Sequence, residues 1–447
     1  MNRLSEISVL ALLAFTTLWR GGKSLESSWL LLGVASLCIL LQWFLRREQK
    51  ITPPQDTLWL AVIAFFLWTV LSYIFSSTPN YGLDEVLRTG ALCLLLIWYL
   101  QRHPEDFEEQ LFPLLTYVTV LVCLIGLFVY IFQPVNRFVG TFFDMRFHTD
   151  YWPNASAQFL LLAWPITLLH SGKSIRGRFP SRVLNMIQIP LEKYGPIGLS
   201  LGCLLLTFSR GALIAFLGQV VLLTFLVLRQ KNSVQTLHMP LRRIAAALFI
   251  GFIVFISINE VRSSIHPVQD VMEKVTFSAD EGYSSVNERT SFWMQASVLA
   301  AQKPLFGWGP YSFRFIQPRM QKHVLATSDH PHNVFLKLAV ERGILAAVLF
   351  GYILFLVLKP GVQLALSGKR LSVASDHARL GYALLVIAIA GVLAHNLIDY
   401  NLQFVGITLP LWLLMAVLLR HAGHRQASSK KYAWLTTKRK VSIPVII

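Results

Sequence analysis

Long apolar runs alternate with short polar segments along nearly the whole chain. A helix needs roughly 20 apolar residues to cross the hydrocarbon core of a bilayer, and most of these runs approach that length. The pattern predicts about 12 transmembrane helices and therefore an all-α, polytopic membrane protein. We place the predicted helices near 5–19, 28–45, 58–75, 84–100, 111–132, 154–170, 195–208, 212–228, 244–258, 343–358, 380–396 and 404–419.

Composition agrees with a chain that lies in lipid. Hydrophobic residues make up 54% of the sequence and charged residues 14%, which exceeds what the core of a soluble domain requires. The first apolar run ends in Arg20 and Lys23 without a small-residue cleavage pattern, so we expect a first transmembrane helix there and no cleavable signal peptide. Every cysteine falls inside a predicted helix and is expected to be a small core residue: Cys38, Cys93, Cys123 and Cys203.

The charge distribution predicts the topology. The 40 Lys and Arg residues against 23 Asp and Glu residues give a net charge of +17, which in a soluble protein would suggest a nucleic-acid partner. Here the basic residues concentrate in alternate loops, as cytoplasmic loops of membrane proteins do. We therefore predict that both termini are cytoplasmic, that anionic membrane lipids are partners, and that nucleic acid is not. The predicted inner segments are 46–50, 101–110, 171–194, 229–243, 359–379 and the tail from 420.

The same topology leaves four segments on the outer face, where we expect the functional groups: 133–153, 209–211, 259–342 and 396–403. The third is the longest and is rich in aromatic residues. Apolar spacing in 287–301 and after the Pro331 break predicts short helices at the membrane interface. The predicted organisation is thus nine transmembrane helices in 1–258, a long outer loop in 259–342, three further helices in 343–419 and a basic tail in 420–447.

Two arginines on the outer face are candidates for chemistry. Arg210 lies in Phe208–Ala212, between two apolar runs with almost no loop to lift it into water. A charge in that position is costly unless it has a partner, which favours a functional role. The alternative is that its side chain simply reaches the headgroup phosphates. Arg289 follows Glu288, and an ordinary surface ion pair is the alternative there.

Histidines supply the candidates for a general base. His330 and His332 flank Pro331 in the segment Asp329–Asn333, and imidazole can accept a proton near neutral pH. The same pair could bind a metal, although further ligands with suitable spacing are not evident. His395 and Asp399 are four residues apart, on one helical face at the outer end of the eleventh predicted helix. A structural hydrogen bond that caps this helix is the alternative.

Four short motifs in one order on one face resemble a known family, the O-antigen ligase and O-antigen polymerase superfamily of bacterial inner-membrane glycosyltransferases. The similarity extends over about the C-terminal two-thirds of the chain, and the first hundred residues match only as hydrophobic helices. It rests on Ser209–Ala212, Asn287–Trp293, Pro304–Phe313, and His330–Leu336 followed by Glu341–Gly343.

The resemblance implies a metal-independent, inverting transfer without a cofactor. The donor would be an undecaprenyl-pyrophosphate-linked glycan, and the acceptor a hydroxyl of lipid A core or of another glycan, on the periplasmic face. By analogy, Arg210 and Arg289 would hold the pyrophosphate, because guanidinium groups engage phosphate oxygens bidentately as the negative charge develops. His332 would be the catalytic base, with His330 as its rival.

The remaining predicted site residues are weaker candidates. Arg314, Arg319 and Lys322 lie on the same loop and could meet anionic groups of either substrate, although a solvated basic face is the alternative. Arg137 and Arg146 are weaker still. The substrate-binding set predicted from the sequence is His330, Arg314, Arg319, Asn333 and Asp399.

Two questions stay open at the level of sequence. A ligase and a polymerase take the same donor and differ in the acceptor, so the motifs do not separate them. Twelve helices with cytoplasmic termini also fit a transporter or flippase of a lipid-linked glycan. Against transport, no matching pair of broken helices or internal repeats is detectable, and the charges lie at the outer face instead of at the bilayer midplane.

Overall fold

The computed structural model describes residues 2–45, 57–78, 81–102, 107–144, 150–171, 182–229, 233–268, 285–320, 328–366 and 373–437. Helices dominate these ranges. The first nine are α1 Asn2–Leu18, α2 Leu25–Leu45, α3 Thr57–Ile74, α4 Leu83–Arg102, α5 Phe107–Phe132, α6 Pro153–Ser171, α7 Arg182–Leu206, α8 Arg210–Leu228 and α9 Ser233–Ser263.

The second half contains the long outer segment and the last helices. It begins with α10 Ser285–Gln302, α11 Phe313–Ile316, a 3₁₀ turn at Gln317–Met320 and α12 Val334–Arg342. The chain then continues in α13 Ile344–Leu366, α14 Val373–His395 and α15 Val405–Thr437. A two-stranded antiparallel ribbon lies between α5 and α6 and pairs β1 Phe143–Asp144 with β2 Asp150–Tyr151.

Every predicted apolar run lies within a helix or extends past its ends by at most two residues, and the all-α, multi-pass membrane class is confirmed. Eight helices in the described ranges are long and apolar enough to cross a bilayer, namely α2, α3, α5, α8, α9, α13, α14 and α15. The remaining four predicted transmembrane helices correspond to α1, α4, α6 and α7. These are shorter, more charged or less apolar, so twelve crossings stay a prediction. The last helix also continues well past residue 419, into the predicted tail.

α6 is the central helix of the bundle. Its residues 155–168 are all buried, so they contact protein instead of lipid. The Trp164 indole donates to Gln219 Oε1 of α8 at 2.8 Å, and Gln219 Nε2 donates to the carbonyl oxygens of Leu161 (2.9 Å) and Ile387 (2.8 Å). This amide therefore joins α6, α8 and α14 in a region where water is not available to satisfy polar groups.

Glycines allow α7 and α9 to pack closely. A Cβ atom at Gly202 would lie 2.8 Å from the carbonyl oxygen of Gly251, and one at Gly198 would lie 2.5 Å from Ile250 Cγ2. Small residues four apart on one helix let two backbones approach, and such packing is a main source of helix association in membranes.

The predicted outer segment has a small core of its own. Phe292 and Leu299 of α10 pack with Phe313 and Ile316 of α11 and with Val340 of α12. This cluster lies beside one end of the bundle, which we call the loop end: it comprises 133–144, 150–154, 207–211, 285–320, 328–342 and 395–404. The loop end contains all the predicted site residues that the structure describes.

We predict that Gly202→Ala lowers the stability of the α7–α9 pair by about 1–3 kcal/mol, because the added methyl group overpacks a backbone contact. Thermal unfolding in detergent would show a lower Tm. Gly218→Ala is the matched control, since nothing lies within 4 Å of a Cβ at that position on α8. Equal Tm values for the two variants would contradict the proposed packing.

Candidate active site

His332 and Asp399 form the centre of the loop end. His332 Nδ1 lies 2.8 Å from Asp399 Oδ1, and Nε2 lies 3.1 Å from Ser328 Oγ. The imidazole stacks on Phe292 of α10, with ring centroids 5.9 Å apart. His332 has a left-handed backbone conformation (φ 51°), which turns its side chain away from the following helix. Partners on three sides thus fix the ring.

Asp399 is almost fully buried and has several donors around it. Besides His332, it accepts hydrogen bonds from Asn154 Nδ2 (2.7 Å) and the backbone N–H of Tyr400 (2.7 Å). Arg289 NH2 lies 3.6 Å from Asp399 Oδ2. Burial by itself would raise the pKa of Asp399, but the hydrogen bond and charge of His332, with the charges of His395 and Arg289, hold this pKa well below its ordinary value. The carboxylate is therefore ionised at neutral pH.

His330 has a different environment from His332. It is only 8% exposed, packs against His332 and Tyr400, and its Nδ1 atom has no hydrogen-bond partner among the described residues. Burial and the interactions with His332, Lys337 and Lys23 lower the pKa of His330, although Asp399 opposes this effect. This histidine is neutral at pH 7, and among the described residues no carboxylate lies within hydrogen-bond distance to orient it.

Two arginines lie near this centre. Arg289, on the first turns of α10, contacts Asp399, which differs from the alternative of a surface pair with Glu288. Arg137 donates through Nε to the Thr207 carbonyl (2.6 Å) and through NH2 to Asn154 Oδ1 (2.8 Å). Burial lowers the pKa of Arg137 to about 10, partly countered by the charge of Asp399. Arg289 thus contacts the carboxylate directly, and Arg137 reaches it through Asn154.

Arg210 is the first residue of α8, after the Ser209 N-cap whose hydroxyl accepts from the Ala212 N–H. A Cβ atom at the neighbouring Gly211 would lie 2.5 Å from Ile398 Cδ1 and 3.7 Å from His395 Cδ2. The start of α8 therefore packs directly against the turn that contains Asp399. Lack of a side chain at Gly211 permits this approach.

The other predicted residues have more varied positions. Asn333 caps α12: its Oδ1 accepts from the N–H groups of Phe335 (2.9 Å) and Leu336 (3.0 Å), and its Nδ2 donates to the Leu397 carbonyl (2.9 Å). Arg314 pairs with Asp329 at 3.2 Å and contacts the Tyr311 hydroxyl at 3.0 Å, on the His330 side.

Arg319 is exposed on the 3₁₀ turn, and within the described ranges no contact joins it to His332, Arg289 or Asp399. Arg146 and Lys322 lie outside the described residues.

The expectation that His395 and Asp399 share one helical face is wrong. α14 ends at His395, and Asp399 follows in a non-helical turn. His395 Nδ1 instead lies 3.0 Å from Gln158 Oε1 of α6, which also accepts from Asn401 Nδ2 at 3.1 Å. His395 is therefore part of the support beneath the site.

Sequence analysis missed a second set of buried charges, which surrounds α12. Lys337 Nζ lies 2.9 Å from Glu85 Oε1 and also pairs with Glu341. Arg342 NH2 contacts Glu85 Oε2 at 3.0 Å, while Arg88 bonds to the Gln403 carbonyl at 3.0 Å. We call Glu85, Arg88, Lys337, Glu341 and Arg342 the α4–α12 charge cluster. Its members fix α12, and so the His332 segment, to the transmembrane bundle.

Two sequence signals could have revealed this cluster. Glu85 and Arg88 begin a predicted transmembrane helix, where ionisable residues need partners. Lys337 and Glu341 are four residues apart and therefore share one face of the helix predicted to start at Asn333. Asn154, by contrast, has no such signal, because a single polar residue before an apolar run is common.

A metal site has little support in the residues that the structure describes. Within those ranges no group of three or more His, Cys, Asp or Glu side chains is arranged to hold an ion. The metal alternative for His330 and His332 would need ligands from elsewhere.

Part of the chain matches a known protein family. A family described as O-antigen ligase matches residues 196–351, about a third of the chain. The matched segment contains Arg210, Arg289 and His332, whereas Asp399 and Asn154 lie beyond it. No curated protein matches the chain by sequence.

We predict that Asp399→Asn destabilises the protein in a pH-dependent way. Because the folded-state pKa of Asp399 is lowered, its ionised form stabilises the fold above about pH 4, and this stabilisation is lost as pH falls further. The Tm difference between wild type and variant should therefore be largest near neutral pH and narrow on acidification. Asp329→Asn, whose carboxylate pairs with an exposed arginine, should show a small difference. A Tm difference between wild type and Asp399→Asn that does not change with pH would contradict this link between the ionisation of Asp399 and stability.

We predict that Lys337→Met costs about 3–5 kcal/mol of stability, because it leaves the buried Glu85 and Glu341 carboxylates without their shared partner. Thermal unfolding in detergent would measure the loss. Lys303→Met is the control, since the Lys303 ammonium lies at the surface over Trp308 and bonds to Ser77. Adding Glu341→Gln to Lys337→Met should restore part of the Tm. A Tm for Lys337→Met equal to that of the control would show that the cluster is not stabilising.

Proposed function

We propose that this chain, a member of the O-antigen ligase and polymerase superfamily, transfers a glycan from an undecaprenyl-pyrophosphate carrier to an acceptor hydroxyl on the periplasmic face of a bacterial inner membrane. The transfer inverts the anomeric centre and needs neither metal nor cofactor. The acceptor is lipid A core, for a ligase, or a second glycan, for a polymerase.

The observation that carries this proposal is the contact between His332 and the ionised Asp399 at 2.8 Å. The carboxylate accepts from Nδ1–H and so selects the tautomer in which the Nε2 lone pair can take a proton. Ser328 Oγ lies 3.1 Å from Nε2 and donates to the His330 carbonyl at 2.7 Å. His332 is therefore oriented as a general base.

In the proposed step, the acceptor oxygen attacks the anomeric carbon as His332 Nε2 takes its hydroxyl proton. A new bond forms between the carbon and the acceptor oxygen. The bond between the anomeric carbon and the pyrophosphate oxygen breaks, and its electron pair stays on that oxygen. Asp399 stabilises the imidazolium that results, and the proton balance needs no further reactant.

We assign Arg289 and Arg210 to the leaving group. Charge develops on the pyrophosphate as the glycosidic bond breaks, and preorganised guanidinium groups stabilise it most where water is scarce. Arg210 also begins α8, so the dipole of that helix adds to the positive potential. Arg137, bound to Asn154, adds a third cation near Asp399.

His332 fits the role of base better than His330. The side chain of His332 is 24% exposed and has a carboxylate partner, while His330 is nearly closed off from solvent and packs behind it. We assign His330 a supporting role against Tyr400 and His332. Asn333 acts through its cap on α12, and Arg314 and Arg319 remain candidates for contacts with anionic substrate groups.

Transport of a lipid-linked glycan is the second hypothesis. A flippase would not need an oriented general base, so it should retain activity without His332. The dyad of His332 and Asp399 therefore favours the transferase.

We predict that Arg210→Ala, Arg289→Ala and His332→Ala each abolish or severely reduce transfer by purified protein with a carrier-linked glycan and either acceptor. Loss of a general base lowers rates by about 10²–10⁴-fold. His266→Ala, a histidine near the outer end of α9, is the control and should retain wild-type rates. Product analysis with the two acceptors would separate a ligase from a polymerase.

The wild-type rate should be unchanged by a chelator. Wild-type rates in His332→Ala would refute the assigned base, whereas loss of transfer on chelation would refute metal independence. Absence of transfer to either acceptor, despite donor binding, would favour transport.

A further inference from the structure

A separate cleft lies at the loop end, between the starts of α2 and α4. Its volume is about 370 Å³, within the range of about 300–1,000 Å³ that is usual for small-molecule sites. None of His332, Arg289 and Arg210 lines it. The lining residues are Lys23, Leu25, Trp29, Tyr81, Leu83, Asp84, Glu85, Leu87, Arg88, Tyr311 and Gln403.

The charges in this cleft are not equivalent. Glu85 is engaged by Lys337 and Arg342, and Asp84 lies 3.6 Å from Arg88. Lys23, in contrast, has no carboxylate within ion-pair distance among the described residues. Its ammonium lies over the Trp152 ring at 4.2 Å and 5.9 Å from the Phe404 ring centre. Lys23 therefore brings to the wall of the cleft a cation whose described neighbours are aromatic rings.

The walls of the cleft are amphipathic. Trp29, Leu25 and Tyr81 are more than half exposed, at 51%, 54% and 60%, and extend the rim toward the lipid-facing surface of the bundle. Tyr311 and Gln403 lie deeper. Aromatic faces beside polar groups suit sugar rings, and an apolar rim suits the acyl or prenyl part of a glycolipid.

The cleft adjoins the segment that contains the proposed base. Arg314 NH1 contacts the hydroxyl of Tyr311, which lines the cleft, at 3.0 Å and pairs with Asp329 at 3.2 Å, one residue before His330. Arg289 instead contacts Asp399 directly, and Arg137 reaches it through Asn154. An inverting displacement brings the acceptor and the leaving group to the anomeric carbon from opposite sides, so the two substrates need separate sites.

We propose that this cleft binds the acceptor, a glycolipid that carries an anionic group, with Lys23 contacting that group and Trp29 and Tyr81 contacting its sugar and lipid portions. The identification of the ligand as the acceptor rests on the proposed function, but binding at the cleft can be tested independently of it. The anionic group is a phosphate or carboxylate, borne either on the sugars or on the lipid.

The direct test is equilibrium binding of two probes, a lipid A core glycolipid and a carrier-linked oligosaccharide, to the full chain in nanodiscs. We expect at least one probe to lose about tenfold in affinity with Lys23→Gln, the loss expected for one charge-assisted contact. For the lipid A core glycolipid, which has no carrier pyrophosphate, Arg289→Gln should not reproduce that loss. A sugar fragment freed of its lipid, with and without phosphatase treatment, would show which part bears the anionic group.

Two matched control variants are available for the substitutions at Lys23 and Trp29. Lys303→Gln removes a lysine that lies over Trp308 at the same 4.2 Å distance, and Trp43→Ala removes a 55% exposed tryptophan from the other end of α2. Both variants should bind like the wild type, whereas Trp29→Ala should bind more weakly.

Kinetics would connect the site to transfer. Lys23→Gln should raise the KM for the acceptor about tenfold and leave the KM for the donor and kcat unchanged. Binding of both probes that is insensitive to Lys23→Gln, or that follows Arg289 alone, would overturn the cleft proposal even if transfer occurs. Lys23-dependent binding without any transfer would instead leave the site in place and reject the proposed function.

Discussion

The burial of the Asp399 carboxylate is the constraint on which the loop end depends. An ionised carboxylate removed from water is stable only when donors replace its hydration. Here the donors come from His332, Asn154, Arg289 and the adjacent backbone, so the requirement joins the start of α6, the first turns of α10 and the segment before α12. The same interaction that holds these elements together also orients the imidazole, and stability and chemistry therefore share one set of contacts.

α12 is held at both ends, which explains how a loop residue gains a fixed position. Asn333 caps its first turn and bonds to the turn after α14. Lys337 and Arg342 bind Glu85 of α4, and Glu341 binds the loop before α11. The backbone carbonyl oxygens of Arg342 and Glu341 also accept hydrogen bonds from the Trp68 indole and the Ser72 hydroxyl of α3. A catalytic group needs this kind of support, because small displacements of a base reduce its effect.

The motifs that carry the family resemblance divide into two kinds. Ser209–Ala212, Asn287–Trp293 and His330–Leu336 bring Arg210, Arg289 and His332 to the site. Pro304–Phe313 and Glu341–Gly343 instead lock together: Trp308 and Gly309 donate to the carbonyls of Val340 and Glu341, and a Cβ at Gly343 would lie 1.7 Å from Leu305 O. Gly343, with a φ of 85°, is required by that contact, so these two motifs are architectural.

The sequence alone determined the membrane class, the positions of the apolar runs, the helix after Asn333 and the identity of Arg210, Arg289 and His332 as candidates, because hydrophobic runs, caps and costly charges are local properties. Only the tertiary structure decided that Asp399 faces His332 instead of His395, that Asn154 completes its coordination, and that Glu85 and Lys337, far apart in sequence, neutralise each other. These pairings depend on which helix ends meet, and that is set by packing across the whole bundle, which no local pattern of residues specifies.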